Sequence, residues 1–200
     1  MNKEIYQKAF LDNLELALGL TLQMTYQGTL AYAAMIKGVL KGDKVVVDGG
    51  EELEERGYGR REGGNLVLSL IEAAYLVDKG DLEVVSEDGA VLSFEELIRM
   101  AAINDSSFWV KLLVYSDLRY RGLRARPLES AFPAFLVEKK VREGEKRYLV
   151  LCLEEGARIG FKDVEAYLRR AMEARRELVF AIVDKEGNIS YYRVEKVMGA

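Results

Sequence analysis

A change of pattern near the middle of the chain, at Asn104-Asp105-Ser106-Ser107, constrains the fold more than any other feature. Before it, short strands and helices are interleaved; after it, the order is helix, strands, helix, hairpin. With 200 residues, the chain is long enough for two small packed domains. The break therefore predicts an α/β (α+β) protein with mixed domains over 1–104 and 105–200.

In the first half, Lys44 to Val47 reads as a strand ending at Asp48-Gly49-Gly50. Glu51 to Glu55 is acidic enough for a solvated helical turn, and Gly57-Tyr58-Gly59 punctuates it. Leu66, Leu68 and Leu70 alternate, and Ser69 caps a helix that carries Ile71, Ala74 and Tyr75 and ends at Lys79-Gly80. Leu82 to Val85 is a strand, Glu87-Asp88-Gly89 a turn, and Ser93 with Glu96 the capping box of a helix through Met100. Residues 1–40 are expected as a helical extension. Leu16 to Ile36 carries no formal charge, but Thr21, Gln23, Thr25, Gln27 and Thr29 would lose hydration in hydrocarbon, so packed helices are expected rather than a membrane span. Glu4 and Asp12 stand where a secretory leader carries positive charge.

In the second half, Asn104 to Ser107 caps a helix with Phe108, Leu112, Tyr115 and Leu118 on one stripe, stopping at Gly122. Ala131 to Val137 and Tyr148 to Leu153 read as paired strands across a charged connection containing Gly144. Val164, Tyr167, Leu168, Ala171 and Met172 recur at helical spacing, predicting an amphipathic helix over 161–176. Leu178 to Val183 and Ile189 to Val194 form a hairpin about Lys185-Glu186-Gly187-Asn188.

Composition removes several classes of function. The chain carries 33 acidic and 29 basic residues, a net charge of -4, so it is no bulk-charge nucleic-acid binder. Any RNA contact is local or borrowed from a partner. There is no histidine, which excludes imidazole acid, base or metal-ligand chemistry by this chain alone. Cys152 is the only cysteine, so internal disulfides and cysteine zinc clusters are excluded, and its apolar neighbours make it a buried structural thiol. A reducing cytoplasm suits such a chain.

Four blocks in order carry a family resemblance. Leu66-Val67-Leu68-Ser69-Leu70-Ile71-Glu72-Ala73-Ala74-Tyr75-Leu76 and Leu92-Ser93-Phe94-Glu95-Glu96-Leu97 resemble the N-terminal domain of archaeal tRNA-splicing endonucleases. Val114-Tyr115-Ser116-Asp117-Leu118-Arg119-Tyr120-Arg121-Gly122 resembles the helix-ending motif of that family's nuclease domain, and Phe180 to Tyr192 its last hairpin. The resemblance spans roughly 40–197. It implies a C-terminal restriction-endonuclease-like mixed sheet flanked by helices. It also implies cleavage of precursor tRNA without metal or cofactor: a tyrosine base activates a ribose 2′-hydroxyl, a histidine acid protonates the leaving oxygen, and a lysine stabilises the transition state.

At those positions this sequence departs from the family. Aligning Ala134-Phe135-Leu136-Val137 sets Glu138 at the base position. Aligning Tyr148-Leu149-Val150 sets Glu145, or a neighbour within 143–147, at the acid position. Counting back from Ala181 sets Arg176 at the lysine position. A carboxylate acid would need a much raised pKa, and a second carboxylate would repel the phosphate. The chain is therefore expected to be inactive alone, as the structural subunit of a two-plus-two assembly with a catalytic sister.

The resemblance also implies two pairing features. An acidic loop enters a basic cleft of the opposite subunit, and Leu151-Cys152-Leu153-Glu154-Glu155-Gly156 falls at that loop, with Glu154 and Glu155 as its charges; the plainer reading is a solvated turn. Edge strands pair between neighbours, which marks Ile189 to Val194 with Tyr191 and Tyr192; the plainer reading is an ordinary covered edge. Arg119, Arg121, Arg124 and Arg126 cluster, as do Arg169, Arg170, Arg175 and Arg176. They are solvated faces, or phosphate contacts to precursor tRNA, with Arg124 and Arg126 as the candidates. Two readings from other classes stay open. Glu138-Lys139-Lys140 has the carboxylate-x-lysine spacing of metal-dependent nucleases, although Pro133 is followed by Ala134 rather than an acidic ligand. An interaction module unrelated to tRNA is the other.

Overall fold

The computed structural model describes residues 35–196. The first sheet has strand order β3-β4-β2-β1-β5-β6, with β1 Ile36–Lys41, β2 Lys44–Val47, β3 Arg60–Glu62, β4 Asn65–Ser69, β5 Leu82–Val85 and β6 Val91–Leu92. Three helices accompany it: α1 Glu51–Glu55, α2 Leu70–Asp78 and α3 Phe94–Asn104. The second sheet, in order β11-β10-β9-β8-β7, comprises β7 Arg124–Leu128, β8 Ala134–Val141, β9 Gly144–Glu154, β10 Glu177–Val183 and β11 Ile189–Val194. Helix α4 Phe108–Tyr120 precedes it, and α5 Phe161–Glu173 crosses between the parallel strands β9 and β10. A parallel pair requires such a crossover, whereas β10 and β11 need only a hairpin. The fold is thus mixed α/β with two sheets, as the sequence pattern indicates. No helix among the described residues is long and apolar enough to cross a membrane.

Local chemistry explains where the helices start. Ser69 Oγ accepts from Glu72 N while Glu72 returns a bond to the Ser69 backbone, and Ser93 and Glu96 repeat the arrangement. At α4 the expected cap works differently: Ser107 holds the capping position, but its N–H and hydroxyl both donate to Asp105 Oδ1, at 3.0 and 2.6 Å.

Several expectations are corrected. The helical extension over 1–40 meets the described residues only at its end, and there Ile36–Lys41 is a strand, paired in parallel with β5 and antiparallel with β2. The rest of that extension, including Leu16 to Met35, lies almost wholly outside the described residues. The arginine-rich stretch after Gly122 is strand β7, with Pro127 tolerated because β7 lies at the sheet edge. The charged connection between β8 and β9 is mostly strand: pairing continues from Glu138↔Arg147 to Val141↔Gly144, leaving only Arg142 and Glu143 to turn. The last helix stops at Glu173, three residues short of its expected end.

Four rings join the layers. Tyr58 and Tyr75 lie with centroids 6.3 Å apart, Tyr75 and Tyr115 at 5.5 Å, and Tyr115 and Phe135 at 5.7 Å. All four residues are buried. The row runs from the loop before β3, through α2 and α4, to β8. Tyr115 OH is buried there without a hydrogen-bond partner among the described residues. A buried unpaired hydroxyl costs free energy that phenylalanine does not incur. Tyr115→Phe is therefore expected to raise stability by about 1 kcal/mol, a melting-temperature gain of roughly 2–4 °C. A destabilisation in thermal unfolding would show the hydroxyl to be bonded.

Candidate functional site

Two of the positions that the resemblance singles out, 138 and 176, lie where β8, β9 and the start of β10 meet. Arg176 reaches them through an unusual helix end. Its N–H bonds to Ala171 O at 2.8 Å, and that of Arg175 to Met172 O at 3.0 Å, the paired bonds of a Schellman motif. Arg175 takes the left-handed conformation with φ 52°, a role usually given to glycine and costing a side-chain-bearing residue about 1 kcal/mol. This reversal turns Arg176 back over the sheet. Its Nη2 donates to Glu138 Oε1 at 3.0 Å, and its Nη1 to the carbonyls of Val137 and Tyr148 at 3.3 and 3.4 Å. The guanidinium side chain is 12% exposed and the carboxylate 27%, so solvent screens the pair only partly.

Glu145 does not join them. In the β8–β9 register Glu138 stands opposite Arg147, and Lys140 opposite Glu145, so these four side chains share one face. Glu145 lies two ladder steps further toward the tip, exposed, accepting from Arg147 Nε at 2.9 Å. The structure thus brings Glu138 and Arg176 together and leaves Glu145 engaged elsewhere. Among the described residues no group of three or more Asp, Glu, His or Cys is placed to hold a metal ion.

The acidic segment is also corrected. Leu151, Cys152 and Leu153 are buried within β9 and paired with β10, so the loop begins only at Glu155. Burial pushes the Cys152 thiol pKa well up, consistent with a structural role. Glu154 closes the strand, Glu155 donates its N–H to Val183 O, and both side chains are exposed with no ion pair among the described residues.

On β11 the two tyrosines differ. Tyr191 OH donates to Asp117 Oδ2 at 2.6 Å, and the Arg121 guanidinium, itself paired to Asp117, lies over the Tyr191 ring. Desolvation, followed by the bond to the carboxylate, pushes the Tyr191 phenol well above its usual pKa. Its hydroxyl fastens the edge strand to α4 and is not free for a partner. Tyr192 points to the opposite face and is 56% exposed. On that face Val194 closes one side of an open apolar groove of about 530 Å³, whose other side is the α5 stripe Phe161, Val164, Leu168 and Met172.

Arg124 and Arg126 separate in the same way. Arg124 Nη2 donates to Glu55 O at 2.9 Å, and its stem lies against Gly57, where a Cβ would come within 3.0 Å of Arg124 Cδ. With Arg56, Arg119, Tyr58 and Tyr75 it lines a polar cleft of about 320 Å³. Arg119 stacks over the Tyr58 ring at 3.8 Å and donates to Arg56 O, while its Nη1 is buried without a partner among the described residues. Arg126 is exposed. Sequence reasoning missed Arg56 and Arg119 as parts of one cleft, because no periodicity links residues that only tertiary packing brings together.

Comparison with known proteins follows the same lines. Residues 36–98 match the family model described as tRNA intron endonuclease, N-terminal domain, and residues 108–191 match tRNA intron endonuclease, catalytic C-terminal domain. A tRNA-splicing endonuclease of Pyrococcus abyssi is 36% identical over 165 residues, covering 80% of this chain and 96% of that protein. The tRNA-splicing endonuclease of Pyrococcus horikoshii is 37% identical over 164 residues, with 80% and 95% covered. That of Methanococcus vannielii is 34% identical over 164 residues, with 80% and 93% covered.

Proposed function

The chain belongs to the tRNA intron endonuclease family, and from that premise we propose that it is the structural, catalytically degenerate subunit of a heteromeric enzyme removing introns from precursor tRNA. One observation carries the reading. In a chain without histidine, the position expected to hold the tyrosine base carries Glu138, ion-paired at 3.0 Å to the residue at the lysine position. Arg176 is thereby committed to a carboxylate and two main-chain carbonyls rather than offered to a phosphate. A guanidinium so held is no substitute for a lysine ammonium aimed at a transition state.

Three surfaces suit assembly with a catalytic sister in a two-plus-two complex. Glu154 and Glu155 present charge that no described residue pairs at the end of β9, the Arg56, Arg119 and Arg124 cleft suits an acidic loop, and the β11 edge continues into the α5 groove. Complementary charge fixes orientation and speeds encounter. Glu154→Lys combined with Glu155→Lys is expected to abolish co-purification with the catalytic chain; unchanged recovery would remove these residues from the interface. Precursor tRNA is bound by the complex, with Arg126 the remaining arginine candidate for direct contact. The deciding experiment is reconstitution, assaying precursor-tRNA cleavage with this chain, with the catalytic sister, and with both. Cleavage only by the mixture supports the proposal, and turnover by this chain alone defeats it.

A further inference from the structure

Beyond Glu138 the β8–β9 hairpin projects as a two-stranded arm, and every residue from Lys139 to Arg147 is exposed. Its two faces differ. On one, Glu138 is held by Arg176 and Glu145 by Arg147. On the other, Lys139 stands directly opposite Lys146 across the ladder. Like charges so placed repel and destabilise a strand pair. Neither lysine has an ion-pair partner among the described residues, and the same holds for Lys140 and Arg142, leaving Glu143 as the hairpin's one uncommitted carboxylate. In a chain of net charge -4, this is a local excess of cations over carboxylates, with no ion pair to these four among the described residues.

We infer that the Lys139 and Lys146 face of this hairpin binds the phosphodiester backbone of RNA. The inference rests on the reading of the chain as part of a precursor-tRNA endonuclease, and it names where this subunit grips the substrate. Two flexible ammoniums side by side contact phosphate oxygens without reading bases, which suits a positioning role. The lysine pair is one ladder step beyond Glu138 and on the opposite face, so RNA held there is gripped across the ladder from the Glu138–Arg176 pair.

The test uses the complete complex with its catalytic partner and a fluorescent precursor tRNA, titrated from low to high salt. Lys139→Ala with Lys146→Ala is expected to make the dependence of log affinity on log salt shallower by about one unit per lysine, with binding at 0.1 M salt ~8-fold weaker for each ammonium removed. Lys146→Glu separates binding from folding. It places opposite charges across the ladder, so thermal stability should hold or rise while RNA affinity falls. An unchanged salt slope in both variants, with the wild-type complex binding normally, overturns the inference alone. Loss of the partner chain from the variant complexes overturns it too, by making the hairpin a protein interface. A wild-type complex that does not bind precursor tRNA at all removes this inference and the proposed function together.

Discussion

Assayed without a partner, this chain is expected to leave precursor tRNA uncut over the time in which the partnered complex completes the reaction. General acid and general base help are each worth roughly 10²- to 10⁴-fold, so losing both predicts a deficit of about 10⁴-fold or more. No imidazole elsewhere in the chain can take over the acid role, because the chain has no histidine. The carboxylate of Glu138 could accept a proton, but it is bonded to Arg176, and its charge opposes an approaching phosphate. Quantifying 5′ and 3′ cleavage products by gel, with and without magnesium, gives a direct reading. A rate within tenfold of the complex would refute inactivity, and magnesium-dependent cutting would favour the metal-nuclease alternative.

Glu72→Ala is expected to cost about 2–4 kcal/mol, lowering the melting temperature by roughly 4–16 °C. Glu72 is 4% exposed, a charged residue inside the core. Its Oε1 accepts from Gly59 N at 2.9 Å, and its Oε2 from Ser69 N at 2.9 Å and Ser69 Oγ at 2.8 Å. Gly59 has φ 64°, and a Cβ there would lie 2.8 Å from the Val67 carbonyl oxygen, so the backbone is drawn tightly onto β4. Truncating Glu72 leaves two part-buried N–H donors without their acceptor and frees the loop that carries Tyr58 under Arg119. Glu72→Gln keeps a carbonyl oxygen and should lose less. Denaturant unfolding of the three proteins settles the order, and a loss below 1 kcal/mol for the alanine variant would contradict the account.

Local signals in the sequence were strong where the responsible atoms are close in the chain. The Ser69 cap, the Ser93 capping box, strand β2, the α4 stripe and the final hairpin follow from turn chemistry and periodicity, although the helix capped by Ser93 runs to Asn104, past its expected end at Met100. Strand β1 was hidden because Ile36 closes an uncharged run and the stretch after it contains Gly38, which is legible as a strand only once β2 and β5 are known to flank it. Strand β7 was hidden by its arginines and Pro127, which read as loop until the edge position is known. At the candidate site, the residue types at 138, 145 and 176 were readable, but the ion pair was not, since it depends on the left-handed turn at Arg175. Likewise the alternation of β11 gave Tyr191 and Tyr192 opposite faces without saying that Asp117 waits on one of them.

The row of rings from Tyr58 to Phe135 bears on how the molecule comes apart. Separating the half that ends near Asn104 from the half that follows would strand Tyr75 on one piece and Tyr115 on the other, each presenting to water a face that is now covered. Neither fragment would have a complete interior, so heat or urea should melt the region from Met35 onward in one concerted transition rather than in two.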